Sequence, residues 1–277
     1  SMGTGNFFGM MPRDMMERSQ LTGIEMESLT GGMAKMLYPD ANIQIKPYQD
    51  SKTSDGFYDL VIGNWPFAAQ APLDRRYMRM SPTLHDYFFL KALDQVRAGG
   101  LVVGITSSGT MDKAGESARY AMARKADLIG AFRLPSGAFE KYAGTSVVTD
   151  ILVFRKRADD NPNSTTENWL KTKETETPQG TPVKVNAYFA DNPQFVLGTT
   201  NYGHGTTRGV PGMIVDRPAD LMDRLKAIPE QLPADAYAPE ITGAHLSFIS
   251  NHTNDRQQSI VIGQDNGLYV VNGEHLS

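Results

Sequence analysis

The chain contains no cysteine. That excludes disulfides and zinc–thiolate sites and agrees with a reducing compartment, and a cytoplasmic location is the expectation. It contains no run of 18 or more apolar residues, so no membrane-spanning helix and no membrane partner are expected, and no signal peptide is visible. A basic excess is missing as well. The net charge is −4, whereas a protein that grips a polyanion by charge alone is basic, so any nucleic-acid surface must be local or contributed elsewhere. The five histidines are scattered, none at metal-ligand spacing from another, and no metal is expected. What remains is ordinary globular composition, 40% apolar and 21% charged over 277 residues, enough for one large domain or a domain with an appendage.

One stretch stands out against this background. Asp59 to Ile62 is a short apolar run introduced by Asp55-Gly56, which reads as a buried strand. It empties into Gly63-Asn64-Trp65-Pro66-Phe67. The carboxyl end of a strand in an open α/β sheet is where ligands bind. Asn64 offers a carbonyl acceptor, Pro66 has a fixed φ and no N–H, and Trp65 before it is pushed toward extended backbone. Phe67 supplies an aromatic face. Two acceptors beside a stacking platform suit an amino group on a planar ring. A plain strand-to-helix turn containing Asn and Pro is the competing reading of this tetrapeptide alone.

The rest of the chain supplies context. Gly3-Thr4-Gly5-Asn6-Phe7 is a Gly-x-Gly loop, in which backbone can approach a ligand closely and a helix N-terminus can follow. With the next glycine at Gly9 it is not a dinucleotide fingerprint. Gly23-Ile24-Glu25-Met26 reads as a strand ending in an acid about twenty residues later, the spacing at which a carboxylate takes ribose hydroxyls; a solvated acid is the alternative. A helix is expected over 28–38 with Leu29, Met33, Met36 and Leu37 as core filler, then a strand over 41–46 ending in the polar cluster Tyr48-Gln49-Asp50. Beyond the motif, Arg75, Arg76 and Arg79 lie on a loop that either contacts phosphates or is simply solvated. An amphipathic helix over 84–97 closed by Gly99-Gly100, a strand over 101–105, a helix over 112–126, a strand over 128–132 and an antiparallel strand closing the sheet over 147–155 complete a doubly wound α/β pattern. Residues 1–157 are expected to form the main domain and 158–182 a linker or mobile insertion. Residues 183–277 read as an irregular C-terminal extension with a glycine-rich patch carrying Tyr202, His204 and Arg208. A short helix is expected over 219–228, and a hairpin around Asp265-Asn266-Gly267 at the start of a further domain.

Taken in order, Gly3-Thr4-Gly5-Asn6-Phe7, Gly23-Ile24-Glu25, Gln49-Asp50 and Gly63-Asn64-Trp65-Pro66-Phe67 resemble the motif series of N6-adenine DNA methyltransferases that use S-adenosylmethionine. Residues 85–94, Arg97 to Gly100, residues 105–112, Arg133-Leu134-Pro135 and Ala143-Gly144-Thr145 look like the methylase region of large helicase-linked methylases of phages and mobile elements. Residues 186–197 resemble a later marker of the same proteins, and the resemblance covers roughly residues 3–210. It implies a Rossmann-like methyltransferase sheet, a restriction-modification setting, double-stranded DNA as partner and methyl transfer to a flipped-out adenine. The implied catalytic residues are Asn64, Trp65, Pro66 and Phe67. The implied cofactor residues are Gly3, Thr4, Gly5, Asn6, Phe7, Glu25, Met26, Gln49, Asp50 and Asn64. Two departures stand out: Trp65 replaces the proline of the commoner Asn-Pro-Pro-Phe form, and the strand the family places before Gly3 is not in this sequence. The sheet is therefore expected to lack its first strand. A catalytically silent DNA-binding or interaction module, and a methyltransferase acting on RNA or on a protein glutamine, are the other readings.

Overall fold

In the computed structural model, which describes residues 2–67, 72–80, 82–138, 147–160, 167–203, 212–237, 259–262, 268–272 and 275–276, the chain divides into units Ser1–Tyr237 and Ala238–Ser277. Gly3 and Gly5 adopt φ of +60° and +93° and turn the chain into α1 (Asn6–Gly9), followed by α2 (Arg13–Glu17). β1 (Thr22–Glu25) and β2 (Asn42–Ile45) then pair in parallel, with Glu25 opposite Ile45. Between them runs α3 (Ser28–Leu37), whose start is capped by the Glu27 carboxylate accepting from the Leu29 and Thr30 amides.

The apolar face of α3 does not form core. Leu29, Met33, Met36 and Leu37 are exposed, Met36 at 84%, and the helix buries Gly31 and Ala34 instead. A Cβ on Gly31 would stand 2.9 Å from Ile45 Cγ1. The helix thus approaches β2 by its smallest residues, and the 3.6-residue period turns the methionines away.

The second sheet is β3 (Tyr58–Asn64), β4 (Val96–Ser107), β5 (Ala126–Arg133) and β6 (Thr149–Lys156), in the order β3-β4-β6-β5. β3 and β4 are parallel, and β6 is antiparallel to both its neighbours. β6 has the orientation read from the sequence, but it lies inside the sheet, between β4 and β5. β3 was expected to be buried; Leu60 and Ile62 are each 40% exposed, because β3 pairs with β4 on one side and with no described strand on the other. This is an α/β fold of parallel and antiparallel strands.

α4 (Leu84–Gln95) is buried from His85 to Gln95 rather than along one stripe. Phe89 meets Phe154 of β6 at 5.6 Å between ring centroids, while Phe88 meets Tyr48 at 4.7 Å. The helix stops two residues before the sequence suggests, and no glycine caps it: Val96 already begins β4. Gly100 has another purpose, since a Cβ there would sit 2.7 Å from the Asp59 carbonyl oxygen of β3. The helix expected over 112–126 is two, α5 (Gly109–Asp112) and α6 (Ser117–Lys125).

Beyond β6, the antiparallel pair β7 (Thr172–Glu176) and β8 (Pro182–Asn186) leads into α7 (Ala187–Asp191). The antiparallel pair β9 (Thr199–Gly203) and β10 (Gly212–Asp216) follows, then α8 (Leu221–Lys226). Asn186 ties this region to α5: its main-chain amide donates to Asp112 Oδ1 at 2.7 Å, and its side-chain amide to the carbonyls of Met111 and Trp169. In the second unit, β11 (Ser259–Ile262), β12 (Leu268–Asn272) and β13 (His275–Leu276) form an antiparallel sheet. A hairpin was expected there; its Asp265-Asn266-Gly267 turn lies outside the described residues, as do Ala143-Gly144-Thr145, His204 and Arg208.

Candidate functional site

The Gly3–Gly5 loop closes onto β1. The Gly3 amide donates to Glu25 Oε2 at 2.8 Å, and the Glu27 amide donates to Oε1 at 3.0 Å, so the buried Glu25 carboxylate holds both ends of the turn around it. Two lone-pair directions on that carboxylate remain beyond these bonds. Gly5 is pinned by Tyr38, whose hydroxyl donates to the Gly5 carbonyl at 3.1 Å. Thr4 Oγ1 donates to Asn6 Oδ1 at 3.4 Å; Phe7 is half-buried, and Met26 is exposed just past Glu25. The Glu25–Ile45 register carries β2 to the same rim, where the chain turns into the 3-10 helix Tyr48–Asp50 with Asp50 exposed.

Asn64 is the last residue of β3, exposed, opposite Ile105 of β4. The Trp65 amide donates to the Ile105 carbonyl at 2.9 Å, which extends the pairing one residue and fixes the start of the loop. The Trp65 indole turns into the core, 5.5 Å from Phe88 and 5.7 Å from Phe89 between centroids, and fills the space that glycine leaves at Gly63 and Gly104. Its side chain is therefore packing, and the main chain is what Trp65 offers at the rim. Pro66 and Phe67 are partly exposed.

The two halves of the rim are joined through α4. Tyr48 Oη donates to Gln95 Oε1 at 2.6 Å, and Lys91 Nζ donates to the Gln49 carbonyl at 3.2 Å. Burial lowers the Lys91 pKa and raises that of Tyr48, with Asp74 opposing the shift of Lys91. Arg76, read as a phosphate contact, is engaged: its guanidinium pairs both oxygens of Asp55 at 2.7 Å and Asp94 at 3.0 Å. Arg75 is exposed.

Two polar clusters on the same rim fall in segments that the sequence marks only by resemblance, with no role read for their residues. In the first turn of α4, Asp86 accepts from Thr83 Oγ1 at 2.6 Å and pairs with Lys113, while both ring nitrogens of buried His85 lack a partner among the described residues. At the ends of β5 and β6, Arg133 makes a two-pronged pair with Asp150 at 2.8 Å per bond and a third bond to Asp112 at 2.9 Å, with Phe189 4.2 Å beneath it. A cleft of about 270 Å³ beside Arg133 and Phe189 is lined by none of the sequence-predicted site residues. Among the described residues there is no group of acids and histidines able to hold a metal, and no helix is long and apolar enough to cross a membrane.

The sheet β3-β4-β6-β5 and the parallel pair β1–β2, with helices between the strands, make a Rossmann-like α/β fold. The chain superposes on a type I restriction-modification methyltransferase subunit from Streptococcus thermophilus with a TM-score of 0.51, at 14% identity over 84% of this chain and 47% of that one. In sequence, it is 31% identical over 142 residues to the defense against restriction protein B of Escherichia phage P1, a match spanning 49% of this chain and 6% of the phage protein. The chain thus spans a small part of that relative. No family model matches it.

Proposed function

We propose that this chain transfers a methyl group from S-adenosylmethionine to the N6 amino group of a flipped-out adenine in double-stranded DNA. The observation that carries the reading is the tip of β3. There Asn64 is exposed at the carboxyl end of a parallel strand, and the Trp65 side chain is sunk into the core.

The residues present fit the cofactor. Gly3 has open space where a Cβ would be, and Glu25 keeps acceptor capacity beneath the loop. Gly3, Thr4, Gly5, Asn6 and Phe7 would hold the amino-acid end, Glu25 and Met26 the ribose, Gln49 and Asp50 the purine, with Asn64 bordering both ligands. Bound there, S-adenosylmethionine supplies a sulfonium methyl group to a nucleophile. Asn64 Oδ1 accepts one hydrogen of the acceptor amino group and the main-chain carbonyl at the Trp65–Pro66 step accepts the other. Both bonds draw the nitrogen toward tetrahedral geometry and free its lone pair. Phe67 stacks on the extruded base, offsetting part of the few kcal/mol that flipping costs. The contribution is positioning and electrostatics, with no side chain acting as nucleophile. The restriction-linked names of both relatives agree with a DNA substrate.

One observation favours a second reading, a DNA-binding module without catalysis: β1–β2 and β3–β4–β6–β5 are separate hydrogen-bonded sheets, so the two halves of the site do not share one continuous sheet. Calorimetric titration with S-adenosylmethionine decides between them. The catalytic reading expects micromolar binding weakened at least tenfold by Glu25→Ala; no binding at millimolar ligand would establish the second.

A further inference from the structure

Lys91 has no part in the chemistry above, yet three segments meet on its charge. From the middle of α4 its ammonium donates to the Gln49 carbonyl at 3.2 Å and reaches Asp74 Oδ2 at 3.5 Å, with the rings of Tyr48 at 5.1 Å and Tyr87 at 5.8 Å. Gln49 belongs to the cofactor side of the rim. Asp74 belongs to the segment 72–80 that follows the Asn64–Phe67 motif on the acceptor side. The same helix grips both segments again. Tyr48 donates to Gln95 at 2.6 Å, Tyr87 donates to Asp74 at 2.9 Å, and Tyr77 donates to Asp94 at 2.6 Å.

Holding an ammonium here is costly, and a methionine of similar length would fill the space without that desolvation. A methionine, however, would leave the Gln49 carbonyl and the Asp74 carboxylate without their shared donor. Asp74 is itself a relay, since its other oxygen accepts the Arg76 amide at 3.1 Å. The path from the cofactor turn to the acceptor segment is therefore Gln49, Lys91, Asp74, Arg76, each link a hydrogen bond or ion pair through one flexible side chain.

We propose that Lys91 is a positioning residue that couples the cofactor turn Gln49–Asp50 to the acceptor segment 72–80, so that filling one half of the site sets the geometry of the other. The proposal rests on the assignment of Gln49 and Asp50 to the cofactor purine. A ligand that shifts the Gln49 carbonyl changes the hold of Lys91 on Asp74, and the reciprocal change follows by linkage.

The test uses the whole chain and its Lys91→Met, Lys91→Arg and Asp74→Asn variants, with folding checked by circular dichroism. S-adenosylmethionine affinity is measured with and without an adenine-containing DNA duplex, and duplex affinity with and without S-adenosylmethionine. The wild type is expected to bind each ligand about tenfold more tightly when the other is present. Lys91→Met and Asp74→Asn are expected to bind each ligand alone within about threefold of wild type and to lose the mutual enhancement, with Lys91→Arg restoring part of it. Full enhancement in Lys91→Met would overturn the proposal and leave Lys91 as packing. A wild type that binds S-adenosylmethionine without any enhancement overturns the coupling and spares the site; one that binds none overturns both. Should Lys91→Met fail to fold, Asp74→Asn, whose amide oxygen still accepts from Tyr87 while the charge that pairs with Lys91 is removed, decides by the same criterion.

Discussion

The Glu25 carboxylate and the Gly3 amide, 22 positions apart in sequence, meet at 2.8 Å. Together with the Met2 amide donating to the Ile24 carbonyl at 2.9 Å, this bond fastens the glycine loop to the end of β1 and puts the acid directly beneath it. The loop is held from its other side by Tyr38, whose hydroxyl donates to Gly5 and whose ring meets Phe8 edge-on at 5.4 Å. A short loop at positive φ is thus fixed by tertiary contacts rather than by its own helix, which is only four residues long.

The two glycines of the loop should not be equivalent. Gly5 has φ of +93°, and a Cβ there would stand 2.5 Å from Tyr38 Cε2; Gly3 has φ of +60° with nothing within 4 Å. Gly3→Ala is expected to cost about 1 kcal/mol, the ordinary penalty of left-handed backbone, and Gly5→Ala about 2 kcal/mol or more because the clash adds to it. Urea denaturation of the two variants measures the difference, and equal costs would remove Tyr38 from the explanation.

Arg133 and Asp150 form a fully buried, two-pronged pair that also engages Asp112, which in turn accepts from Asn186. Removing one partner strands the other in the core. Arg133→Met is expected to destabilise the chain by about 3–5 kcal/mol, and Asp150→Asn by a similar amount. Arg133→Lys rescues little, because an ammonium cannot reproduce two parallel bonds to one carboxylate. Chemical denaturation checks this; a Lys variant as stable as wild type would contradict it.

Burial lowers the pKa of His85 below its ordinary 6.5, with Asp86 pulling it up and Lys113 pushing it down. Between the folded and unfolded pKa values the unfolded chain binds more protons, so stability is complete above about pH 6.5 and falls as pH drops through that value toward the folded pKa. His85→Gln should flatten this slope between pH 7 and 5. Thermal melts across that range are the measurement, and an unchanged slope in the variant would assign the acid sensitivity to other groups.

Legibility in the sequence followed the range of the interactions. The apolar runs of β3 to β6 are local patterns, and each is found as a strand within a few residues of where the pattern places it. The misreadings came from context. The methionines of α3 have the period of a core face, but Gly31 and Ala34 let the opposite side approach β2 more closely. Gly99-Gly100 resembles a helix cap, yet β4 needs Gly100 to pass the Asp59 carbonyl. That Lys91, Asp86 and Arg133 act as hubs was not legible because their partners lie up to 42, 27 and 80 positions away, and no spacing rule reaches that far.

The most direct test of the account is methyl transfer itself. Labelled S-adenosylmethionine is incubated with the chain and an adenine-containing duplex, and the product nucleosides are identified by mass spectrometry. The account predicts N6-methyladenine, lost about a hundredfold or more in Asn64→Ala. Undiminished transfer by Asn64→Ala, or label recovered on any group other than the adenine amino nitrogen, would contradict it.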